Sequence, residues 1–475
     1  MTWRRVVQNG TFLENSEIMP IFGYQEGNEM SDKNRRQHYG LPEKSRRPPL
    51  NRQDTLHRMD AYIGLNSDWV NVETILRTAP DQIAIGPGSL LREWEENGRR
   101  CFQYKLDHAS FNFYSFLSAR YQVARRDWNG VKLEVYYQPG HDFNVERMLN
   151  AMEKSLDYYT KNFGPYYHKQ CRIIEFPRFS DFAQSFPGTM PYSEGVGFIQ
   201  DFRPEDDDID LMYYVAAHEI GHQYWGHQEC GALMQGGEML VETFAQWSAL
   251  MVMEHEYGRD QMRKFLRYEM DRYLRARGRE TQRELPLSRC EGQGYIHYNK
   301  GSASMYYLKE MIGEEQVNAS LRAFLEKYRY AQPPYPVSLD ALDEFYAHTP
   351  DSLDYVVKDL FEDITLFENR CKEGTVKDLG NGKWEVTIQI DCQKLKADDL
   401  GKETEVALND YIEIGAFAKP ESGKKYGKTL YRQRVKITQH TSYFTFTVEE
   451  KPDKAGVDPF SLLVDRNPED NLKEL

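Results

Sequence analysis

No two of the six cysteines are spaced as CxxC. Cys101, Cys171, Cys230, Cys290, Cys371 and Cys392 lie far apart, which removes a thiolate zinc ribbon and a dithiol redox motif from consideration. Their spacing gives no disulfide framework either and leaves the compartment open. No apolar run is long enough to span a bilayer. The opening stretch MTWRRVVQNGTFLEN has none of the apolar core of a signal peptide. Positive charge is in deficit: 60 Lys and Arg stand against 74 Asp and Glu, a net charge of -14, which excludes general binding to a phosphate backbone and with it nucleic-acid partners. There is no internal repeat and no low-complexity tract.

Aromatic residues are in excess. They make up 13% of the chain, with 32 Tyr, as in a packed globular protein with deep clefts rather than a disordered one. At roughly 150 residues per domain, the 475 residues suggest about three domains. The patterning changes character twice. Residues 1–130 alternate in short runs broken by turn signals: WVNVETILRT from Trp69 and RRCFQYKLD from Arg99 read as strands, with Glu96–Gly98 as a turn between apolar runs. Within this part, the basic, proline-containing run from Asp32 to Gln53 reads as a solvated excursion. Residues 131–365 read as mainly helical, from NVERMLNAMEKSLDYYTKNFG at Asn144 onward, with strands at CRIIEFP (from Cys171) and EGVGFIQ (from Glu194). Residues 366–475 return to period two, as in KWEVTIQID and SYFTFTVEE, and predict a β-sandwich. The expected class is α+β and multidomain: a partial N-terminal β-domain (1–130), a catalytic domain (131–365) and a C-terminal β-sandwich (366–475).

The stretch HEIGHQYWGHQ begins at His218. His218 and His222 are four apart, so on a helix they project from one face one turn apart, where two imidazoles can bind one metal ion. Glu219 points to the side, placed to take a proton from a water at the metal instead of binding it. The acidic run EDDDID from Glu205 needs only a helix N-terminus as explanation. A catalytic zinc takes three protein ligands and keeps one open position. Gly226 and His227 are out of register with HExxHxxGxxH, and His227 reads as a supporting or surface histidine. The third ligand is expected to be Glu242 in LVETFAQW, because it lies inside an apolar run where a carboxylate needs a partner. Its competitor Glu238 sits at a helix start, where a glutamate needs no special reason.

HEIGHQYWG followed by LVETFAQW resembles the aminopeptidase N family of gluzincins. The resemblance implies one zinc ion per chain, held by His218, His222 and Glu242, with Glu219 as general base. It also implies a thermolysin-like catalytic domain. Nineteen residues separate His222 from Glu242, where the family usually has eighteen. PYSEGVGF from Pro191 is similar to the family's GAMENWG strand, which implies that Glu194 binds the substrate's α-amino group and that the backbone around Gly195 pairs with the peptide. YNKG from Tyr298 is similar to YxKG, which implies that the Tyr298 hydroxyl stabilises the oxyanion, with His297 and Tyr295 as pocket walls. Counting back from Pro20 places Asn9 at an amine-binding position. The reading is a zinc aminopeptidase acting on peptides with a free N-terminus. The alternatives are a thermolysin-like endopeptidase and a non-catalytic peptide-binding module of a transporter. The closest likeness is to bacterial proteins in which such a peptidase region is joined to permease segments. That likeness implies a membrane-tethered parent with the peptidase facing the periplasm or exterior, a cytoplasmic location being the alternative.

Overall fold

The computed structural model describes residues 5–21, 23–24, 28–64, 67–203, 207–281 and 283–475. The start of the chain and the first two residues of the acidic run, Glu205 and Asp206, lie outside them. The N-terminal part holds two three-stranded sheets. One pairs β1 (Thr11–Glu14), β6 (Ser115–Ala119) and β3 (Ile83–Ile85); the other pairs β2 (Glu73–Thr78), β5 (Arg99–Lys105) and β4 (Ser89–Glu96). The expected turn closes the β4–β5 hairpin, with Asn97 and Gly98 at φ 52° and 72°, the left-handed backbone that a two-residue hairpin demands. Two short helices, α1 (Asn15–Ile18) and α2 (Lys33–His38), complete this part.

The basic excursion is solvated only in its first half. No residue of α2 is buried, but from Arg46 onward the chain docks on the helical part. The Arg46 N–H donates to Glu291, Arg47 Nε donates to Glu238 Oε1 at 3.0 Å, and the Gln235 N–H donates to the Pro48 carbonyl at 2.9 Å. Ala61 then bridges to Ala232. The expectation of a free loop fails because the segment's cations meet buried acids nearly two hundred residues away, a pairing that local composition does not show.

The central sheet has the order β10-β9-β8-β7, from Thr189–Ser193, Gln170–Phe176, Val131–Tyr137 and Gln122–Trp128. β8, β9 and β10 are parallel, and β7 is antiparallel to β8. Against the sheet packs α3 (Val145–Phe163), whose buried face runs through Met148, Met152, Leu156, Tyr159 and Phe163, the 3.6-residue stripe expected of an amphipathic helix. The helices that follow are α4 (Leu211–Gly221), α5 (Phe244–Tyr257), α6 (Met262–Arg277), α7 (Gly301–Ile312), α8 (Glu314–Tyr328), α9 (Ser338–Ala347) and α10 (Asp354–Val357). α4 and α5 are apolar nearly all round and almost wholly buried, which is why an HExxH sequence there stands out.

EGVGFIQ, expected as a strand, is instead a π-type turn over Glu194–Phe198. The strand ends at Ser193, and the glycines let the chain fold back on α3: a Cβ on Gly197 would come within 2.7 Å of Met148 Cε.

The C-terminal part is two four-stranded sheets. β12 (Lys383–Ala397) pairs with β11 (Ile364–Gly380), β13 (Glu403–Val406) and β16 (Thr441–Val448); β14 (Asp410–Phe417) pairs with β15 (Thr429–Ile437) and β17 (Lys454–Val457), and β17 with β18 (Leu472–Glu474). Val386, Ile388 and Ile390 from one sheet and Ile412, Ile414 and Val457 from the other share a single apolar core with the helices, as expected of a sandwich. No helix among the described residues is long and apolar enough to cross a membrane. All six cysteines are unpaired and buried.

Candidate metal centre

The α4 helix starts where Asp210 caps it, its carboxylate accepting the Tyr213 N–H at 3.0 Å. Residues 211, 215, 218 and 222 then fall on one stripe. His218 lies in the last turn and His222 just past it, both buried. The two Nε2 atoms face each other at 3.0 Å. Glu242 brings Oε2 to 3.4 Å from the first and 3.3 Å from the second. Zinc–nitrogen and zinc–oxygen bonds of about 2.0–2.1 Å give a tetrahedral edge of roughly 3.3 Å, so the three donor atoms are spaced as one small ion requires. The His222 Nδ1–H donates to the Trp225 carbonyl at 3.0 Å, which leaves the Nε2 lone pair aimed at the centre. Glu242 Oε2 is buried and makes no hydrogen bond. The residues fit a metal ion, and the donor set suits zinc.

Glu242 reaches the histidines from a π-type turn over Met239–Thr243 that opens α5. A turn bonded five residues apart holds one residue more than an α-turn, which takes up the extra residue between His222 and Glu242. Glu238 is fully buried but spoken for by Arg47. Tyr298 sits in a second π-type turn, Tyr295–Lys300, with its ring centroid 6.0 Å from that of His218. The two turns are locked together. Thr243 Oγ1 donates to the His297 carbonyl at 2.7 Å, and a Cβ on Gly301 would meet Thr243 Oγ1 at 2.7 Å, so only glycine allows this approach.

Burial raises the pKa of Glu219, and the charge of Glu242 adds to the shift against the pull of His218 and His222. One oxygen of Glu219, Oε2, is buried without a partner. Burial alone would lower His222, but Glu242 outweighs it and brings the imidazole up to about 9. Burial opposes ionisation of Glu242, yet the two histidines hold it well below the usual carboxylate range. A site that keeps Glu242 ionised and draws a proton onto His222 is one suited to a positive charge. Burial and the charge of Glu242 raise the Tyr298 hydroxyl far above its ordinary value, which keeps it a donor.

His227 is buried rather than at the surface. Its Nε2–H donates to the Ser185 carbonyl at 3.2 Å, and burial pushes its pKa down to about 3. His297 is buried too, while Tyr295 lines the larger cleft described below.

Glu194 and Asn9 gather away from the triad, and Gly195 lines the larger cleft with Tyr298. Glu194 groups with His141 and Glu175 and accepts the Arg178 N–H at 3.2 Å. Asn9 Nδ2 donates to Gln138 Oε1, and the Gln138 N–H donates to Glu175. β10 is paired on both sides. β9 runs along one, and along the other residues 182–186 form an antiparallel hairpin with β10 through a Pro187–Gly188 turn. The sheet edge beside the metal centre is therefore 182–186, and no strand covers its far side among the described residues. The Pro-Gly pair between two apolar runs was the available signal for this hairpin.

One space borders the triad and a second lies beside Tyr298. A void of about 260 Å³ lies beside His222, lined by Tyr62, Phe113, Gln184, Ser185, Trp225 and Val241; Tyr62 comes from the docked chain that follows the excursion, which nothing local in the sequence pointed to. A cleft of about 1010 Å³ is lined by Tyr298, Val215 and Gln246, which stand next to the triad in the chain or in space, and not by the triad itself.

Two histidines one turn apart, a glutamate from the next helix and a carboxylate beside the first histidine are the groups that a gluzincin-type centre would need. Residues 147–359 match the Peptidase family M1 domain, the domain of the aminopeptidase N family. The chain is 26% identical over 211 residues to human endoplasmic reticulum aminopeptidase 2, covering 42% of this chain and 22% of the relative. It is 23% identical over 211 residues to probable aminopeptidase 1 of Sulfurisphaera tokodaii, covering 42% and 26%. It is 22% identical over 385 residues to aminopeptidase N of Lactobacillus delbrueckii subsp. lactis, covering 75% and 43%. The matched stretch is thus less than half the length of each of these relatives.

Proposed function

We propose that this chain is a zinc metallopeptidase that removes residues from the amino end of peptides. The observation that carries the reading is the triad of His218, His222 and Glu242 with Glu219 buried beside it. Zinc bound there would polarise the scissile carbonyl and make water a nucleophile near neutral pH. Glu219 accepts a proton from the attacking water and passes it to the departing amine. The Tyr298 hydroxyl donates to the carbonyl oxygen as negative charge builds on it. The peptide adds to the edge 182–186 as an extra strand. The small void supports action at the chain end: about 260 Å³ is less than the roughly 300–1,000 Å³ of an ordinary ligand pocket and suits a single residue. On this path the first residue lies by Ser185, so the ammonium-binding role is not carried over to Glu194, Gly195 and Asn9.

One observation favours a second reading, an endopeptidase. Glu242 is the only carboxylate lining the small void among the described residues, so a free ammonium gains little there. Zinc content and the turnover of matched free and N-acetylated peptides, with and without a chelator, test both. We expect about one zinc per chain and chelator-sensitive release of the first residue from free peptides only. Internal cleavage of acetylated peptides would replace the first reading by the second, and a chain that takes up no zinc would end both.

A further inference from the structure

The larger cleft continues the metal face of α4 toward its N-terminus. Leu211 and Val215 line it on the same stripe as His218 and His222, and Gln246 lines it one turn after Glu242. Its outer wall is α6 and the residues just after it. Tyr268, Arg272, Arg275 and Arg279 recur there at helical spacing and all face the cleft. Arg275 and Arg279 are exposed and have no carboxylate partner among the described residues. Arg272 lies over the Tyr268 ring at 5.2 Å and donates to its hydroxyl. The acid lining the cleft is Glu269, on α6 itself three residues before Arg272; it is buried and its carboxylate accepts from Asn299 at 2.6 Å, so one acid stands against three guanidinium groups. The nearby Asp181 is already paired with Arg178. Three guanidinium groups open to one cleft are out of keeping with a chain of net charge -14, in which most other cations have an acid beside them.

The direction of a bound peptide follows from two independent features. A strand added antiparallel to 182–186 starts at the Phe186 end, beside Ser185 and the small void that Ser185 lines, and runs toward Phe182. The Phe182 carbonyl accepts the Ser193 N–H, two residues before Gly195 at the cleft. The two volumes agree, since one residue fits the small void and several fit the cleft. From Arg272 to Arg279 is about 10 Å along a helix, the reach of three residues of extended peptide.

We propose that this cleft holds the residues that follow the scissile bond, and that Arg272, Arg275 and Arg279 select peptides with carboxylate side chains at the second to fourth positions. The proposal rests on the peptidase reading of the metal centre. The guanidiniums donate to the carboxylates and replace part of their hydration, and because the pairs are open to water the preference weakens with salt.

The test compares peptides that share a first alanine and differ only downstream, Ala-Glu-Glu-Ala against Ala-Lys-Lys-Ala, in the full chain loaded with zinc. We expect kcat/KM to favour the acidic peptide by about ten-fold, the size two or three exposed ion pairs can supply. In the triple variant Arg272→Gln, Arg275→Gln, Arg279→Gln the ratio should fall to about two-fold or less, and Arg275→Glu should push it toward the basic peptide. Because the readout is a ratio, a general loss of activity cancels. An acidic-to-basic ratio near one in the parent chain, or a preference untouched by the triple variant, would overturn the proposal. Binding of the same two peptides to Glu219→Gln, followed by fluorescence anisotropy, gives the ratio without turnover. Preferential binding with no cleavage would keep the selective cleft and remove the peptidase reading; cleavage with no preference would do the reverse.

Discussion

Glu219 bears the sharpest prediction at the scale of single residues. It is buried beside the triad without belonging to it, so Glu219→Gln should keep about one zinc per chain and lose two to four orders of magnitude in kcat. Full activity in that variant would remove the mechanism. A pH effect belongs to Glu269. Burial raises its folded pKa to about 7 from an ordinary carboxylate value of 4.5. A group with a raised folded pKa keeps its full contribution to stability below its unfolded pKa and loses it as pH rises through the folded value. Wild type should therefore lose ground to Glu269→Gln between about pH 5 and pH 8, by up to about 3 kcal/mol, read from urea unfolding at the two pH values. Parallel curves would show that the carboxyl ionises freely. The residues that were legible in the sequence are those whose meaning is local. The spacing of His218 and His222 fixes a shared helix face, and a carboxylate inside the apolar run at Glu242 asks for a partner. The stretch from Glu194 reads as a strand because its glycine-rich surroundings resemble one, whereas the edge beside the triad is set by a hairpin that pairs two separate segments.

Among the elements, the π-type turns at Met239–Thr243 and Tyr295–Lys300 do what regular helices would not. Each carries a residue of the site, and they touch through Thr243 and Gly301. Gly301→Ala should separate them, costing roughly 1–3 kcal/mol of stability and lowering both kcat and zinc affinity, since Tyr298 and Glu242 ride on the two turns it would push apart. Calorimetry with zinc titration checks this; a variant of unchanged melting temperature and kcat would show that the contact is slack. Apolar periodicity found the α3 helix and alternation found β12 and β16, because those patterns are written in side chains. Periodicity carries no mark for a π-type turn, and the same blindness turned Glu194–Phe198 into an expected strand.

At the scale of the whole molecule, the division into β-rich, helical and β-rich parts was readable from changes in pattern, but the contacts between parts were not. Arg47 and Glu238 are the clearest case: a buried carboxylate whose cation comes from the far side of the N-terminal part. Arg47→Met should destabilise the chain by roughly 1–3 kcal/mol, less than a fully buried pair would because Arg47 is partly exposed, and should loosen the wall that Tyr62 provides. An unchanged urea midpoint would mean that the excursion rests on the surface without holding it.

That docked excursion leads into a wall that the family model does not reach. Similarity to the M1 domain begins at residue 147, yet a wall of the small void is supplied from residues 62 and 63. The stretch that the family model covers and the stretch that walls the small void are therefore not the same. On the proposed function, a change in the early segment would reshape the space offered to the first residue of a peptide while leaving His218, Glu219, His222 and Glu242 as they are.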